Sequence, residues 1–97
     1  MYGGGEIEMA GALKFTFKRN VSKKLIESQI ALAIVTAECM YSQAKVRLNA
    51  GYVVSKNKAV IDTSNKVGEY IAQVFTGFMT RKIGEDKFTV DRVKSKG

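Results

Sequence analysis

The pattern that most restricts the fold is a stripe of apolar residues between Val67 and Met79. These residues recur at intervals of three and four, which places them on one face of an α-helix: Val67, Tyr70, Ile71, Val74, Phe75, Phe78 and Met79. Arg81 and Lys82 follow the stripe and suit the negative end of a helix dipole, and Gly84 is a natural helix-terminating residue. Because a helix with so wide an apolar face must pack against other elements, the chain is predicted to build a hydrophobic core.

A strand and another helix are predicted before this stripe. Positions 12–18 alternate between apolar and polar residues, and the apolar face holds Leu13, Phe15 and Phe17. Ser22 or Asn20 is suited to cap the helix that follows. Its residues at intervals of three and four are Ile26, Ile30, Ala33, Ala37, Tyr41 and Ala44. Positions 30–35 are apolar on every side, so this helix is predicted either to be covered by a second helix or another subunit as well as the sheet, or to be deeply embedded.

Shorter patterns predict three further strands. Val46 and Leu48 alternate with polar neighbours and indicate a second strand. Gly51 breaks this strand, residues 52–55 extend it into a hairpin that turns at 56–58, where Asn57 is a good turn residue, and residues 59–61 indicate the third strand. Phe88 and Val90 mark the last strand.

The predicted element order is strand, helix, strand, strand, helix, strand. Helices in such a chain pack together on one face of a sheet. The predicted fold is therefore an α+β two-layer sandwich of βαββαβ order, with a mostly antiparallel four-stranded sheet and two helices on one face. Its core is predicted to hold Phe15, Ile30, Ile34, Val60, Ile71, Val74, Phe75, Phe78 and Val90.

The length of 97 residues is enough for one small domain. Residues 1–11 contain three consecutive glycines and are predicted to form a flexible tail, residues 12–93 the domain, and residues 94–97 a basic tail. No apolar stretch approaches the roughly 20 residues that a membrane-spanning helix needs. The N-terminal residues also lack the basic and apolar parts of a secretory signal, so the sequence predicts a cytoplasmic protein without a membrane partner.

The composition excludes several kinds of chemistry. The chain has no His and one Cys, so it has no imidazole base, no phosphorylated His, no internal disulfide and no zinc site of several cysteines. Cys39 lies among apolar residues in the middle of the predicted helix and is expected to be a small buried hydrophobe. The acids are too scattered for a metal site: Glu27 and Glu38 lie eleven residues apart. The sequence predicts no enzyme, metal or cofactor.

Charge is the more informative property. The 16 Lys and Arg residues outnumber the 9 Asp and Glu residues, which gives a net charge of +7. Two sets of basic residues have no acid among them: Lys18, Arg19, Lys23 and Lys24 in the first, and Lys45, Arg47, Lys56 and Lys58 in the second. Such residues bind an acidic protein or nucleic acid, or else only keep the surface solvated.

Aromatic residues beside these charges would strengthen a nucleic-acid interpretation, since bases stack on exposed rings. Phe15, Phe17 and Phe88 share their faces with core residues, so they are expected to be buried instead. No stretch matches the Lys/Arg-Gly-Phe/Tyr motif of the RNA-recognition fold. The sequence therefore favours an acidic protein as partner, with nucleic acid as the alternative.

The element order and the register of residues 27–48 resemble the HPr phosphocarrier family. That family has a βαββαβα sandwich, and its phosphorylated His opens the first helix in a His-Ala-Arg-Pro-Ala motif. The corresponding residues here are Glu27-Ser28-Gln29-Ile30-Ala31, so Glu27 stands in the place of the His. The family's regulatory serine corresponds to Ser64, although the following glycine is one residue further away and the terminal helix is missing. The resemblance implies an HPr-like shape that cannot carry phosphate on His, with Ser64 as its regulatory position.

Three functions are compatible with these patterns. The first is a non-enzymatic interaction or regulatory domain of HPr-like shape that binds an acidic protein. The second is a nucleic-acid-binding module, and a lesser similarity to the Alba type of small basic chromatin protein accompanies it. The third is an oligomeric structural subunit of a phage or other assembly.

The first predicted helix also carries apolar residues off its main stripe. Leu25, Leu32 and Cys39 are such residues, and uncovered apolar surface on a small domain marks a contact site. The sequence therefore predicts a homo-oligomer, most simply a two-fold dimer, with Leu25 and Leu32 at the interface. The alternative is that residues 52–55 fold over this side of the helix.

Overall fold

Seven regular elements follow one another in the computed structural model, which describes residues 11–93. They are β1 (Ala12–Phe17), α1 (Lys23–Met40), α2 (Gln43–Asn49), β2 (Tyr52–Ser55), β3 (Lys58–Asp62), α3 (Lys66–Ile83) and β4 (Phe88–Val93). One turn of 3₁₀ helix at Glu85–Lys87 precedes β4. The tails predicted at residues 1–11 and 94–97 lie outside the described residues, except for Gly11.

The sheet has four antiparallel strands in the order β2-β3-β1-β4. In this register Phe15 lies opposite Ala59 on β3 and opposite Val90 on β4. β1 and β2 run in the same direction with β3 between them, which is the split β-α-β arrangement of ferredoxin-like sandwiches. The predicted α+β class and the antiparallel four-stranded sheet are confirmed.

The core lies between one face of the sheet and the helices. Phe15 is the central side chain: it is fully buried, and the ring of Phe75 on α3 meets it edge-on with centroids 5.0 Å apart. The buried residues that α1 contributes are Ile26, Ile30, Ala33 and Ala37. Among the predicted core residues, Phe15, Ile30, Ile71 and Phe75 are fully buried, and Ile34, Val74 and Phe78 are partly buried against the core. The prediction for Val60 was wrong: it pairs with Lys14 and Val53 on the other face of the sheet, and its neighbours Ala59 and Ile61 are buried in the core instead.

The prediction of a strand at Val46 and Leu48 was wrong, because residues 43–49 form the helix α2. The Ser42 hydroxyl caps this helix by accepting a hydrogen bond from the Lys45 backbone N–H at 3.1 Å. Val46 is fully buried whereas Leu48 is 85% exposed, so the apolar alternation does not reflect a two-faced strand. The helix α1 ends at Met40, and a separate helix takes the place of the predicted second strand. The element order therefore differs from βαββαβ, because the described residues contain three α-helices rather than two.

Two expectations about burial were also wrong. Val90 is 40% exposed because β4 is an edge strand and the helices sit towards the other edge, with α1 against β2 and α3 against β3. Cys39 is exposed because it lies in the last turn of α1, on the side away from Ala37 and the core. Neither residue is covered by another described element.

The helix ends are built as their sequences indicate. The Ser22 hydroxyl caps α1 by accepting from the Leu25 N–H at 3.1 Å, which confirms one of the two predicted caps. The Asn65 side chain caps α3 by accepting from the Gly68 N–H at 2.8 Å. Gly84 ends α3 with φ at 92°, a conformation that side-chain-bearing residues rarely adopt.

Candidate binding site: a basic cleft at one end of the sheet

Four segments of the chain meet at one end of the sheet. β1 ends there at Phe17, whose N–H donates to the Asn57 carbonyl oxygen at 2.8 Å in the β2–β3 turn. The Asn57 side-chain amide donates back to the Phe17 carbonyl oxygen at 3.2 Å. The Lys18 N–H donates to the Lys87 carbonyl oxygen at 3.0 Å, and Lys87 directly precedes β4. The helix α1 begins at Lys23, five residues after Lys18. These backbone bonds fix the positions from which the basic side chains project.

We call this region the basic end; it comprises Lys18, Arg19, Lys23, Lys24, Lys56, Lys58 and Lys87. Lys87 is partly buried and the other six residues are exposed. Exposed cations grouped at one end of a sheet repel one another, and an anionic partner relieves that repulsion. The basic end is therefore suited to bind negative charge.

A cleft of about 510 Å³ opens at the basic end. Its lining residues are Arg19, Val21, Ser22, Lys23, Lys56 and Asn57, which include three cations and no acid. Val21 is buried and gives the cleft an apolar surface. Ser22 and Lys23 are the cap and first residue of α1, so the positive end of the dipole of this 18-residue helix adds to the charge of the side chains.

The predicted basic residues divide into two groups. Six of the eight lie at the basic end, whereas Lys45 and Arg47 belong to α2. The last residue of α2, Asn49, accepts a hydrogen bond from the Asn65 side chain at 3.0 Å, next to the start of α3. α3 follows β3, whose last residue pairs with the first residue of β1. α2 is therefore at the opposite end of the sheet from the cleft.

Lys45 also has a local structural contact. Its Nζ lies 5.2 Å from the centroid of the Tyr41 ring, within the range of a cation–π interaction. The Tyr41 ring in turn meets Tyr70 edge-on, with centroids 5.9 Å apart. Lys45 thus helps to join α1, α2 and α3 and is separate from the basic end.

Sequence reasoning missed Lys87 as a member of the basic end. Glu85 and Asp86 precede it, so it does not stand in an acid-free run. The pairing of Phe17 with Phe88 brings Lys18 and Lys87 side by side. The sequence signal is the apolar alternation of β1 and β4. An antiparallel alignment of the two patterns that places Phe17 opposite Phe88 also places Lys18 beside Lys87.

The core aromatics are unavailable to a ligand at this end. Phe15, Phe17 and Phe88 are 0%, 2% and 8% exposed, which confirms that they pack in the core. Tyr52 is 48% exposed, but it opens β2 whereas Lys56 follows the last residue of that strand, about 13 Å further along. No described residue that lines the cleft is aromatic.

Ser64 lies away from the cleft. It is exposed between β3 and α3, and its backbone N–H donates to the Asp62 carboxylate at 2.9 Å. Its regulatory role stays a prediction. Within residues 11–93, no group of three or more His, Cys, Asp or Glu side chains is placed to hold a metal ion.

Comparisons with known proteins add no relative: no protein-family model, curated protein or solved structure matches the chain. The resemblance to the HPr family therefore stays a prediction. None of the helices in residues 11–93 combines the length and apolarity needed to cross a bilayer.

Proposed function

We propose that this protein is a non-enzymatic binding domain whose basic end docks onto an acidic surface of a protein partner. The observation that carries the proposal is the cleft, where Arg19, Lys23 and Lys56 converge from separate segments without an acid among the lining residues. Only Arg19 and Lys23 are close in sequence. Lys56 joins them through the hydrogen bonds that tie Asn57 to Phe17.

The expected binding depends on several charges acting together. An exposed ion pair contributes at most about 1 kcal/mol, so one cation does not hold a partner. Three cations and a helix N-terminus around one cleft act on the same group of acids, and they also accelerate encounter with a negatively charged surface. Because these charges are exposed, salt should weaken the complex.

An acidic protein fits this site better than single-stranded nucleic acid does. Single strands gain much of their affinity from bases stacked on exposed aromatic rings, and the residues lining the cleft include none. The cleft instead offers Val21 as an apolar contact and Asn57 as a polar one. A protein surface with carboxylates around a small apolar side chain complements this lining.

The experiment compares two triple variants with the same loss of charge. Arg19→Gln, Lys23→Gln and Lys56→Gln remove the cations of the cleft, whereas Lys45→Gln, Arg47→Gln and Lys66→Gln remove three exposed cations elsewhere. Fluorescence anisotropy measures the binding of labelled polyglutamate and of a DNA duplex at several salt concentrations. We expect the cleft variant to bind polyglutamate at least about tenfold more weakly, and the matched variant to lose less than about threefold.

Two results would contradict the proposal. Equal losses in both variants would mean that polyglutamate responds only to net charge. Tighter binding of the duplex than of polyglutamate, lost in the cleft variant, would assign the same residues to nucleic acid instead. In either case binding should fall steeply as salt rises, so the salt series serves as a check that the measured association is electrostatic.

A further inference from the structure

α1 carries a second apolar stripe on the side that faces away from the core. Leu32 is 48% exposed and Val35 is 55% exposed. β2 contacts α1 but does not cover these side chains. The stripe consists of Ser28, Leu32, Val35 and Cys39, which are exposed, and begins at Leu25, whose side chain is partly buried against the core. These five residues recur at intervals of three and four. That seven-residue repeat is typical of helices that pair lengthwise with another helix.

Along one side of this stripe, α1 carries a positive charge near its start and a negative charge near its end. Lys24, Ala31 and Glu38 follow one another at intervals of seven residues, so they lie on the same flank of α1. Lys24 is exposed and Glu38 is partly exposed. The flank is therefore basic near the start of the helix, small in its middle and acidic near its end.

This charge pattern is complementary to itself when two copies of α1 run in opposite directions. With Ala31 at a two-fold axis, Lys24 lies level with Glu38 of the partner subunit, and the symmetry repeats the pair. A parallel arrangement would instead place Lys24 level with Lys24 of the partner subunit. The flanking charges thus favour the antiparallel arrangement.

The position of the basic end favours the same orientation. α1 begins at the basic end and has 18 residues, a length of about 27 Å. Two antiparallel copies of α1 keep their basic ends apart by roughly that distance. Two parallel copies would bring both sets of cations together, where they repel each other.

We propose that α1 pairs with α1 of a second copy of this chain, antiparallel and across a two-fold axis. Leu25 then packs against Val35 of the partner subunit, and Leu32 packs beside Ser28 of the partner subunit. Of the residues of the basic end, the pairing uses only Lys24, which does not line the cleft, so it does not rest on the proposed function. It extends the homo-oligomer prediction by fixing the helix, the orientation and the ion pairs.

Exchange of the two flanking charges gives the sharpest test. Sedimentation equilibrium measures the dimer dissociation constant of the full chain and of three variants: Lys24→Glu, Glu38→Lys and the double variant. Each single substitution turns two attractive pairs into two repulsive ones, so we expect about a tenfold weaker dimer. The double variant restores opposite charges and should return to within about threefold of the original constant.

Two apolar substitutions locate the interface. Val35→Glu places a charge on the stripe and should leave only monomer, whereas Leu48→Glu changes a residue that is 85% exposed on α2 and should leave the dimer intact. Circular dichroism checks that each variant is folded. If Val35→Glu does not fold, the dissociation constants of the Lys24 and Glu38 variants still test the proposal. A chain that stays monomeric at millimolar concentration overturns the proposal. So does a double variant that dimerises no better than the single variants, or a Leu48→Glu variant that dissociates. None of these outcomes depends on polyglutamate binding, so a failure of this pairing is distinct from a failure of the proposed function.

Discussion

At the residue scale, two glycines of α3 have opposite surroundings. A Cβ atom at Gly68 would collide with the backbone carbonyl oxygen of Asp62, whereas a Cβ at Gly77 would have nothing within 4 Å. The first turn of α3 therefore lies closer to the end of β3 than a side chain would permit. This contact sets the position of α3, and with it that of Phe75 against the sheet.

Alanine at these two positions should change stability in opposite directions. We expect Gly68→Ala to lower the free energy of unfolding by about 1–3 kcal/mol, because the backbone must move to admit the methyl group. Gly77→Ala should raise it by about 0.5–1 kcal/mol, because alanine favours an exposed helix position. Urea denaturation of both variants measures the difference, and a Gly68→Ala variant as stable as the original chain would contradict this account of how α3 packs.

At the scale of elements, the sequence predicts those segments whose apolar pattern is long. α3 has a stripe that spans several turns, and β1 alternates over its full length, so both were found with nearly correct ends. α2 has only seven residues, and an alternation of Val46 with Leu48 fits a strand as well as a short helix. The cap from Ser42 and the burial of Val46 decide between them, and burial depends on packing against α1 and α3.

The Ser42 cap can be tested separately from the rest of α2. We expect Ser42→Ala to cost about 1 kcal/mol of stability, because the Lys45 N–H loses its side-chain acceptor. Ser42→Asp keeps an acceptor at the same place and should cost much less. Thermal or urea unfolding compares the two variants; equal losses would mean that the hydroxyl does not hold the start of α2.

At the scale of the whole molecule, the sequence predicted most residues of the candidate site but not which of them lie together in the fold. The acid-free basic runs can be read from the sequence, and six of the eight residues do lie at the basic end. Lys45 and Arg47 do not, because α1 carries the chain to the other end of the sheet before α2 begins. Lys56 returns only through the β2–β3 hairpin. Which basic residues lie at the same end of the sheet thus depends on how many times the chain reverses its direction between them.

The central claim is that the cleft of the basic end, rather than the net charge of the chain, binds an acidic partner. Its most direct test is a titration of the ¹⁵N-labelled protein with polyglutamate, followed residue by residue in the NMR spectrum of the backbone amides. We predict the largest shifts at Arg19, Lys23 and Asn57, with little change at Lys45 and Arg47. Shifts of equal size at both ends of the sheet, or larger ones on α2, would contradict the account.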